Sequence, residues 1–565
     1  MFPLSRTAML AGVLAITALA YCQFFTHGFV LDDHDLLDRV IPAMHSPVDA
    51  FNTGNAFQSY YRPVFLTSLW VDNMLFGAQG WGYHAMNVIL HLLAAWCAFL
   101  FAERLFRRPL PAAAAALLFA IQPVHTENVS WISGRTDILC AIFVFLALSA
   151  FYDLLERRKL KDAWLAALYF LLALGSKETA IVTPALCLIL VMVWSALPKS
   201  APAIPDAETQ KRRHRKPQVL VRRQSVKPVV LGLVLFASCA GAMLLLRSLV
   251  MKSDFTENTF TTAGAQWLNA VRCLGMYLQH SVIGGGYEYL ILGWRIQDPS
   301  FNLALPTETV DWVLIAVPIA SYLGALVATI VWKRSVTAIG LLGFMLFLVP
   351  ALGFVPIQSI FSVRFLYIPS FFLTLAFVDG VLALLAIKAI SRVPRATVIL
   401  SAGYAVIILL WGYGTFTQDT LWQNDKTLFL SMKNEAAESP VYRFSIANAY
   451  RYLGEYRSAA GEFSQAIEIY PRYRDAYINL GGCYMMMGQR NEDEYKEAIT
   501  TYEGALKIFP SDPRFYMLIG DAYLRTGDRD HARLDYSMAY SLDKTSLEVR
   551  KRLDMIHVEI PGMNN

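Results

Sequence analysis

The sequence predicts an all-α chain with two regions, a polytopic bundle of membrane helices followed by an α-solenoid of helical repeats. Three observations carry this. Of 565 residues, 56% are hydrophobic and 16% charged, against roughly 45–50% and 25% in a soluble domain. Apolar stretches long enough to cross about 30 Å of hydrocarbon recur about eleven times. From Tyr442 onward a more polar pattern sets in and repeats itself. The mean hydropathy of +0.41 excludes a set of soluble cores wrapped in polar surface.

The apolar stretches lie near 8–25, 84–102, 110–122, 137–155, 161–175, 179–197, 229–250, 311–331, 336–355, 366–387 and 397–417, the third and fifth being short. The first has Arg6 ahead of an apolar run, like a secretion signal, but no small-residue cleavage site ends it before LDDHDLLD, so a membrane span is expected. Short cytoplasmic loops are enriched in Lys and Arg. With Arg6 inside, the even-numbered connections should be basic. Arg104, Arg107 and Arg108, then Arg157, Arg158, Lys159 and Lys161, then Lys333 and Arg334, then Lys388, Arg392 and Arg395 fit that rule. So does the long connection after 197, where Lys211, Arg212, Arg213, Arg215 and Lys216 cluster; this reads as a topology determinant in a linker rather than an anionic-lipid site. An odd number of spans then puts everything after residue 417 outside the cytoplasm.

The net charge of +5 is too small and scattered for nucleic-acid binding. Seven cysteines, isolated and mostly in apolar runs, as at Cys97, Cys140, Cys187 and Cys239, form neither a disulfide framework nor a CxxC site.

Within the polar region the first copy reads Ile446, Ala447, Tyr450, Gly454, Ala459, Phe463, Ala466, Pro471; the next, Tyr477, Leu480, Gly481, Tyr484, Gly488, Ala498, Tyr502, Ala505, Pro510, with extra residues around QRNED. A third reads Tyr516, Ile519, Gly520, Tyr523, Gly527, Ala532, Tyr536, Ala539. This is the tetratricopeptide pattern of paired helices packed on small residues. Such arrays form a concave surface for an extended peptide or partner protein. A further helix is expected over 544–558.

The connections assigned to the outer face carry ionisable groups of another kind. Asp32 and Asp33 follow the first span; His125, Glu127, Arg135 and Asp137 share one short connection; Lys177 and Glu178 separate the fifth and sixth spans; Arg364 precedes the tenth. A carboxylate partly buried beside a like charge can serve as a general base. Cations on the side away from the cytoplasm run against the charge rule, and an anionic ligand such as a phosphate accounts for them jointly.

FVLDDHD, QSYYRPVFLTSLWVDNMLFG, GYHAMNVILHLL, PVHTENVSWISGRTDIL, LGSKETAIVTPAL and RFLYIPS, in this order and ahead of the repeats, resemble the transmembrane and tetratricopeptide-repeat O-mannosyltransferase family. The array is short for the animal members, as in a compact or bacterial relative. The wider GT-C glycosyltransferase fold, an eleven-span or similar bundle with an exoplasmic site, is what the resemblance implies for residues 1–420, with 421–565 an exoplasmic repeat domain. It implies inverting transfer of a sugar, mannose first, from a polyprenyl phosphate donor to protein Ser or Thr hydroxyls. Asp32 is then the base, with Asp33 placing the acceptor. Arg364 binds the donor phosphate with Tyr367, Lys177 and Arg135 near it. His125, Glu127, Asp137 and Glu178 belong to the active face, and Tyr61 and Arg62, with Pro63, shape a first-loop helix beside the donor. No metal cofactor is required in this reading, while His125 with nearby carboxylates is the alternative that would use a divalent ion. Expected partners are the lipid-linked sugar, membrane lipids and a protein held by the repeats, with no nucleic acid.

Two other readings stand beside it: a membrane-anchored scaffold without catalysis, and a transporter of lipid-linked sugars. A scaffold has no need of Asp32, Asp33 and Arg364 on one face, and a transporter would carry its ionisable groups in mid-span. The sparse outer-face sequons, with Asn128-Val129-Ser130 close to the membrane, lean toward a bacterial inner membrane with periplasmic repeats over the endoplasmic reticulum.

Overall fold

The computed structural model describes residues 5–52, 60–197, 226–250, 270–271, 273–278, 280–281, 309–352, 362–387, 395–431 and 440–556. The basic cluster at 211–216 lies outside them. Among the described residues there is no strand. The chain forms two compact units, divided between Asn424 and Asp425.

In the first unit every predicted apolar stretch contains a helix. These are α1 (Arg6–Ala20), α3 (Gly80–Phe106), α4 (Pro109–Ala120), α5 (Arg135–Arg157), α6 (Leu160–Ser176), α7 (Thr183–Val193), α8 (Lys227–Val250), α9 (Thr309–Trp332), α10 (Ser335–Leu348), α11 (Tyr367–Ala386) and α12 (Ala396–Asp419), with α2 (Pro63–Phe76) preceding α3. Six helical segments are long and apolar enough to cross a membrane, by length and composition: Arg6–Thr26, Gly80–Phe106, Ile132–Arg157, Lys227–Val250, Val363–Ala386 and Ala396–Gln423. Four more apolar helices are shorter, among them Pro109–Ala120 and Ser335–Ala351. The protein is a multi-pass membrane protein. All seven cysteines are free.

Proline at the first position starts α2 and α4, where its missing N–H would have had no helical partner. The connection before α2 is itself folded: Leu36, Leu37, Ile41 and Met44 pack with Phe65 and Leu69 of α2 and with Ile132 and Leu139 of the α5 region. Helices α10 and α11 approach so closely that a Cβ on Gly340 would sit 2.5 Å from the Phe372 carbonyl oxygen. One end of the bundle is tied by ion pairs among the basic residues of the connections. Arg6 meets Glu103 at 2.8 Å, Arg104 meets Asp153 at 3.0 Å and Arg107 meets Glu156 at 2.5 Å, so the start of α1 and the ends of α3 and α5 are neighbours.

The second unit comprises α13 (Asp425–Ser431) and three helix pairs: α14 (Pro440–Tyr452) with α15 (Tyr456–Ile469), α16 (Arg474–Gly488) with α17 (Asp493–Leu506), and α18 (Pro513–Arg525) with α19 (Arg529–Leu542). A final helix, α20 (Leu547–Met555), closes the array. The recurring small residues are the contact points, with Ala447, Ala459, Ala466, Ala498, Ala505, Ala532 and Ala539 fully buried. A Cβ on Gly481 would stand 2.2 Å from the Tyr502 ring, and one on Gly520 would stand 2.6 Å from the Tyr536 ring.

Candidate active site

A cavity of about 290 Å³ in the first unit is lined by Asp32, Tyr61, Arg62, Lys177, Glu178 and Arg364, with Trp131 and Ser133 on its wall. Stretches as far apart in sequence as those of Asp32 and Arg364 thus contribute to one chamber, and half of the residues singled out in the sequence line it.

The two aspartates at its edge have different environments. Asp33 is fully buried and accepts hydrogen bonds from the Ser133 amide at 3.0 Å and the Ser133 hydroxyl at 2.9 Å. Burial pushes its carboxyl up to about 7, against the Ser133 and Val30 donors that pull it down. Asp33 therefore pins the first connection to the turn before α5. Asp32 is the accessible member and lines the cavity. The surrounding protein raises its carboxyl above the ordinary value, while the Arg364 guanidinium pulls it down. Leu31, just before it, has φ +53°, a left-handed backbone that costs a non-glycine residue on the order of 1–3 kcal/mol and collects at functional positions.

Three of the cations on the wall were candidates or neighbours of candidates for a phosphate, and two of them are already paired. Arg62 is bidentate on Glu178, at 3.0 and 2.6 Å, and stacks over Tyr60. Lys177 is 3% exposed and holds both oxygens of Asp137 at 2.6 Å. Arg364 forms no ion pair among the described residues, and its Nε is buried without a hydrogen-bond partner. Its guanidinium lies 5.2 Å from the centre of the Trp131 ring and 5.5 Å from that of Phe365. Aromatic faces hold a cation in place without neutralising it.

Glu127 and Asn128 position that arginine. The Glu127 carboxylate accepts from the Ser362 hydroxyl at 3.0 Å and from the Arg364 amide at 3.2 Å, and the Asn128 amide donates to the Arg364 carbonyl at 3.2 Å. Burial raises the Glu127 carboxyl, with Arg364 opposing. Gly134 permits this turn: a Cβ there would meet the Asn128 carbonyl oxygen at 2.7 Å.

Three of the predicted residues sit elsewhere. Arg135 is fully buried, pairs with Asp72 at 2.6 Å and donates to Asn87 at 2.6 Å and to the Tyr83 carbonyl at 3.0 Å. Its donors are consumed in joining α5 to α2 and α3. Tyr367 turns away from Arg364 into the bundle: His91 Nε2 donates to the Ala120 carbonyl at 2.8 Å, leaving Nδ1 to accept the Tyr367 hydroxyl at 2.6 Å. His125 contacts Ser370 at 2.8 Å through Nε2 and the Phe119 and Tyr367 rings. Among the described residues no three His, Cys, Asp or Glu side chains gather as a metal site.

Sequence reasoning passed over Trp131, although it stands inside the PVHTENVSWISGRTDIL segment, and Asp72, a lone carboxylate in the apolar SLWVDNMLFG run. An acidic side chain between Val71 and Asn73 in an otherwise apolar run was the available signal for a buried partner.

Two parts of the chain match known protein families. Residues 62–204 match the family described as dolichyl-phosphate-mannose-protein mannosyltransferase, and residues 444–493, 491–527 and 513–546 match tetratricopeptide repeats. Protein O-mannosyl-transferase Tmtc1 of Drosophila melanogaster is 31% identical over 194 residues, covering 32% of this chain and 22% of its own. Protein O-mannosyl-transferase TMTC1 of Mus musculus is 25% identical over 509 residues, 74% of this chain and 52% of its own. Protein O-mannosyl-transferase TMTC3 of Mus musculus is 23% identical over 519 residues, 85% of this chain and 53% of its own. The chain spans about half the length, or less, of these curated relatives. With a mannosyltransferase-type match in the helix bundle and tetratricopeptide matches after it, the chain is similar to the transmembrane and tetratricopeptide-repeat O-mannosyltransferases.

Proposed function

We propose that the chain is an inverting glycosyltransferase that moves a sugar, mannose first, from a polyprenyl phosphate to Ser or Thr hydroxyls of proteins at the outer face of the membrane. The observation that supports it most is the placing of an accessible carboxylate, Asp32, and a cation without an ion-pair partner among the described residues, Arg364, on the wall of one cavity.

The chemistry follows from those two groups. The acceptor hydroxyl oxygen attacks C1 of the sugar as Asp32 takes its proton, forming the C1–O bond. The bond from C1 to the phosphate oxygen breaks, and its electron pair leaves with the polyprenyl phosphate, whose charge Arg364 balances. Attack opposite the leaving group inverts the configuration at C1. A positioned base contributes roughly 10²–10⁴ in rate, and a fixed cation at the developing charge acts strongly where water is excluded. Arg62 and Lys177, each neutralised by a carboxylate, shape the wall and hold no net charge toward the donor.

In this reading residues 1–420 form the transferase domain and 421–565 the repeat domain. The basic connections face the cytoplasm, and an odd number of crossings carries the repeats to the outer side, where they hold protein acceptors or partners. The test is to incubate the purified protein with mannosyl and other polyprenyl phosphate sugars plus candidate proteins, and to seek glycosylated Ser and Thr by mass spectrometry. Hexose transferred from one donor class supports the reading; no transfer from any polyprenyl phosphate sugar refutes it.

A further inference from the structure

Two buried N–H donors at the cavity lack acceptors. Trp131 lines it, is 6% exposed, and its indole Nε1 has no hydrogen-bond partner among the described residues. Arg364 lines it too, with its Nε buried and equally without a partner. The two side chains are stacked, the guanidinium carbon 5.2 Å from the Trp131 ring centre. A buried donor left without an acceptor costs about 1–3 kcal/mol, so two together on one wall are a site awaiting an acceptor. The neighbouring carboxylates do not supply one: Asp33 is occupied by Ser133, Glu127 by Ser362 and the Arg364 amide, Asp137 by Lys177 and Glu178 by Arg62, and Asp32, on the same wall, accepts from neither donor.

We infer that the Trp131 indole N–H and the Arg364 Nε–H together bind the phosphate oxygens of the lipid-linked donor, the tryptophan being the second anion ligand of the cavity. This rests on the transferase reading and adds to it the partner that makes phosphate recognition directional. A lone guanidinium on an aromatic face can turn about its stack; an indole N–H beside it fixes where the anion sits and leaves the sugar end free to face Asp32. Trp131 is held for this task. Its backbone carbonyl accepts from Asn87 Nδ2 at 3.0 Å, and Asn87 in turn accepts from Arg135 at 2.6 Å, so the buried Arg135 network supports the ring from behind.

The experiment measures equilibrium binding of radiolabelled isoprenoid phosphate to the purified full chain in detergent micelles, for the unaltered protein, W131F, W131H and R364Q. The corresponding isoprenoid alcohol and an anionic phospholipid serve as competitors. A hydrogen bond to a charged group is worth enough to change affinity about tenfold or more. W131F, which keeps the apolar ring, is expected to bind the phosphate about tenfold more weakly with alcohol binding unchanged, and W131H, which restores a ring N–H, to regain some of the loss. If W131F binds the phosphate as tightly as the unaltered protein while R364Q does not, or loses phosphate and alcohol alike, the assignment of Trp131 is wrong. If the phospholipid displaces the isoprenoid phosphate mole for mole, the site holds a membrane headgroup and the inference also fails. If the unaltered protein does not prefer the phosphate to the alcohol, the failure lies with the transferase reading itself.

Discussion

Replacing Asp137 by Asn should destabilise the bundle sharply, and removing its partner as well should restore it. Lys177 and Asp137 are 3% and 4% exposed, with the ammonium at 2.6 Å from both carboxylate oxygens. Burial pulls the Lys177 ammonium toward its neutral form, and Asp137 is the main group holding it charged. In D137N the amide oxygen can accept one hydrogen bond but balances no charge, while Arg62 and Arg364 continue to repel the lysine. Breaking a buried pair from one side costs about 3–5 kcal/mol, whereas exchanging both partners for apolar residues of similar volume is often neutral or stabilising by about 1–4 kcal/mol. The assay is unfolding in detergent followed by tryptophan fluorescence, read together with isoprenoid phosphate binding. D137N should melt well below the unaltered protein, and K177M/D137L should melt near it and still bind the phosphate, because a neutralised lysine is not the phosphate's cation. A stable K177M/D137L that lost phosphate binding as fully as R364Q would refute the reasoning and return Lys177 to the donor site.

Further outcomes are expected elsewhere. Asp32 must be ionised to act, and its carboxyl is raised by the surrounding protein and lowered by the Arg364 charge; R364Q should therefore shift the acid limb of the residual kcat/KM profile to higher pH, and a limb that moved down or stayed in place would contradict the influence of Arg364 on Asp32. The transferred sugar should have the anomeric configuration opposite to that of the donor, read by NMR of the glycopeptide; retention would rule out a single displacement. In the repeat unit G481A forces a Cβ to 2.2 Å from the Tyr502 ring, an overpacking worth about 1–3 kcal/mol, so limited proteolysis should cut the region after Asp425 faster than in the unaltered chain, while an unchanged cleavage rate would mean the helices can shift apart freely.

The helices were legible because apolar length and repeat spacing are local properties. Stretches such as 84–102 and 137–155 sit inside α3 and α5, and the Gly and Ala positions of the repeats became the buried contacts between helices. Asp32, Lys177, Glu178 and Arg364 could be singled out because ionisable groups beside apolar runs are expensive, whereas Arg62 came in only through the family resemblance. Their roles could not, because a role depends on the partner. Asp72 and Arg135 are 63 positions apart in sequence yet form a buried pair, and Arg135 looked like a phosphate ligand only while Asp72 and Asn87 were out of view. Tyr367 follows Arg364 by less than one helical turn, but the helix begun at Tyr367 points its ring toward His91. Trp131 was hidden for the opposite reason: a lone indole between Ser130 and Ile132 reads as packing until its N–H is found without an acceptor.

The central claim is that Asp32 is the base of a sugar transfer carried out in the cavity it shares with Arg364. Asp32→Asn keeps the size of the side chain and removes its ability to take a proton, so it separates chemistry from folding and from donor binding. The account predicts that the D32N protein inserts in the membrane and binds isoprenoid phosphate as the unaltered protein does, while transfer from polyprenyl phosphate mannose falls by about 10²-fold or more. Transfer at the normal rate by D32N would contradict it.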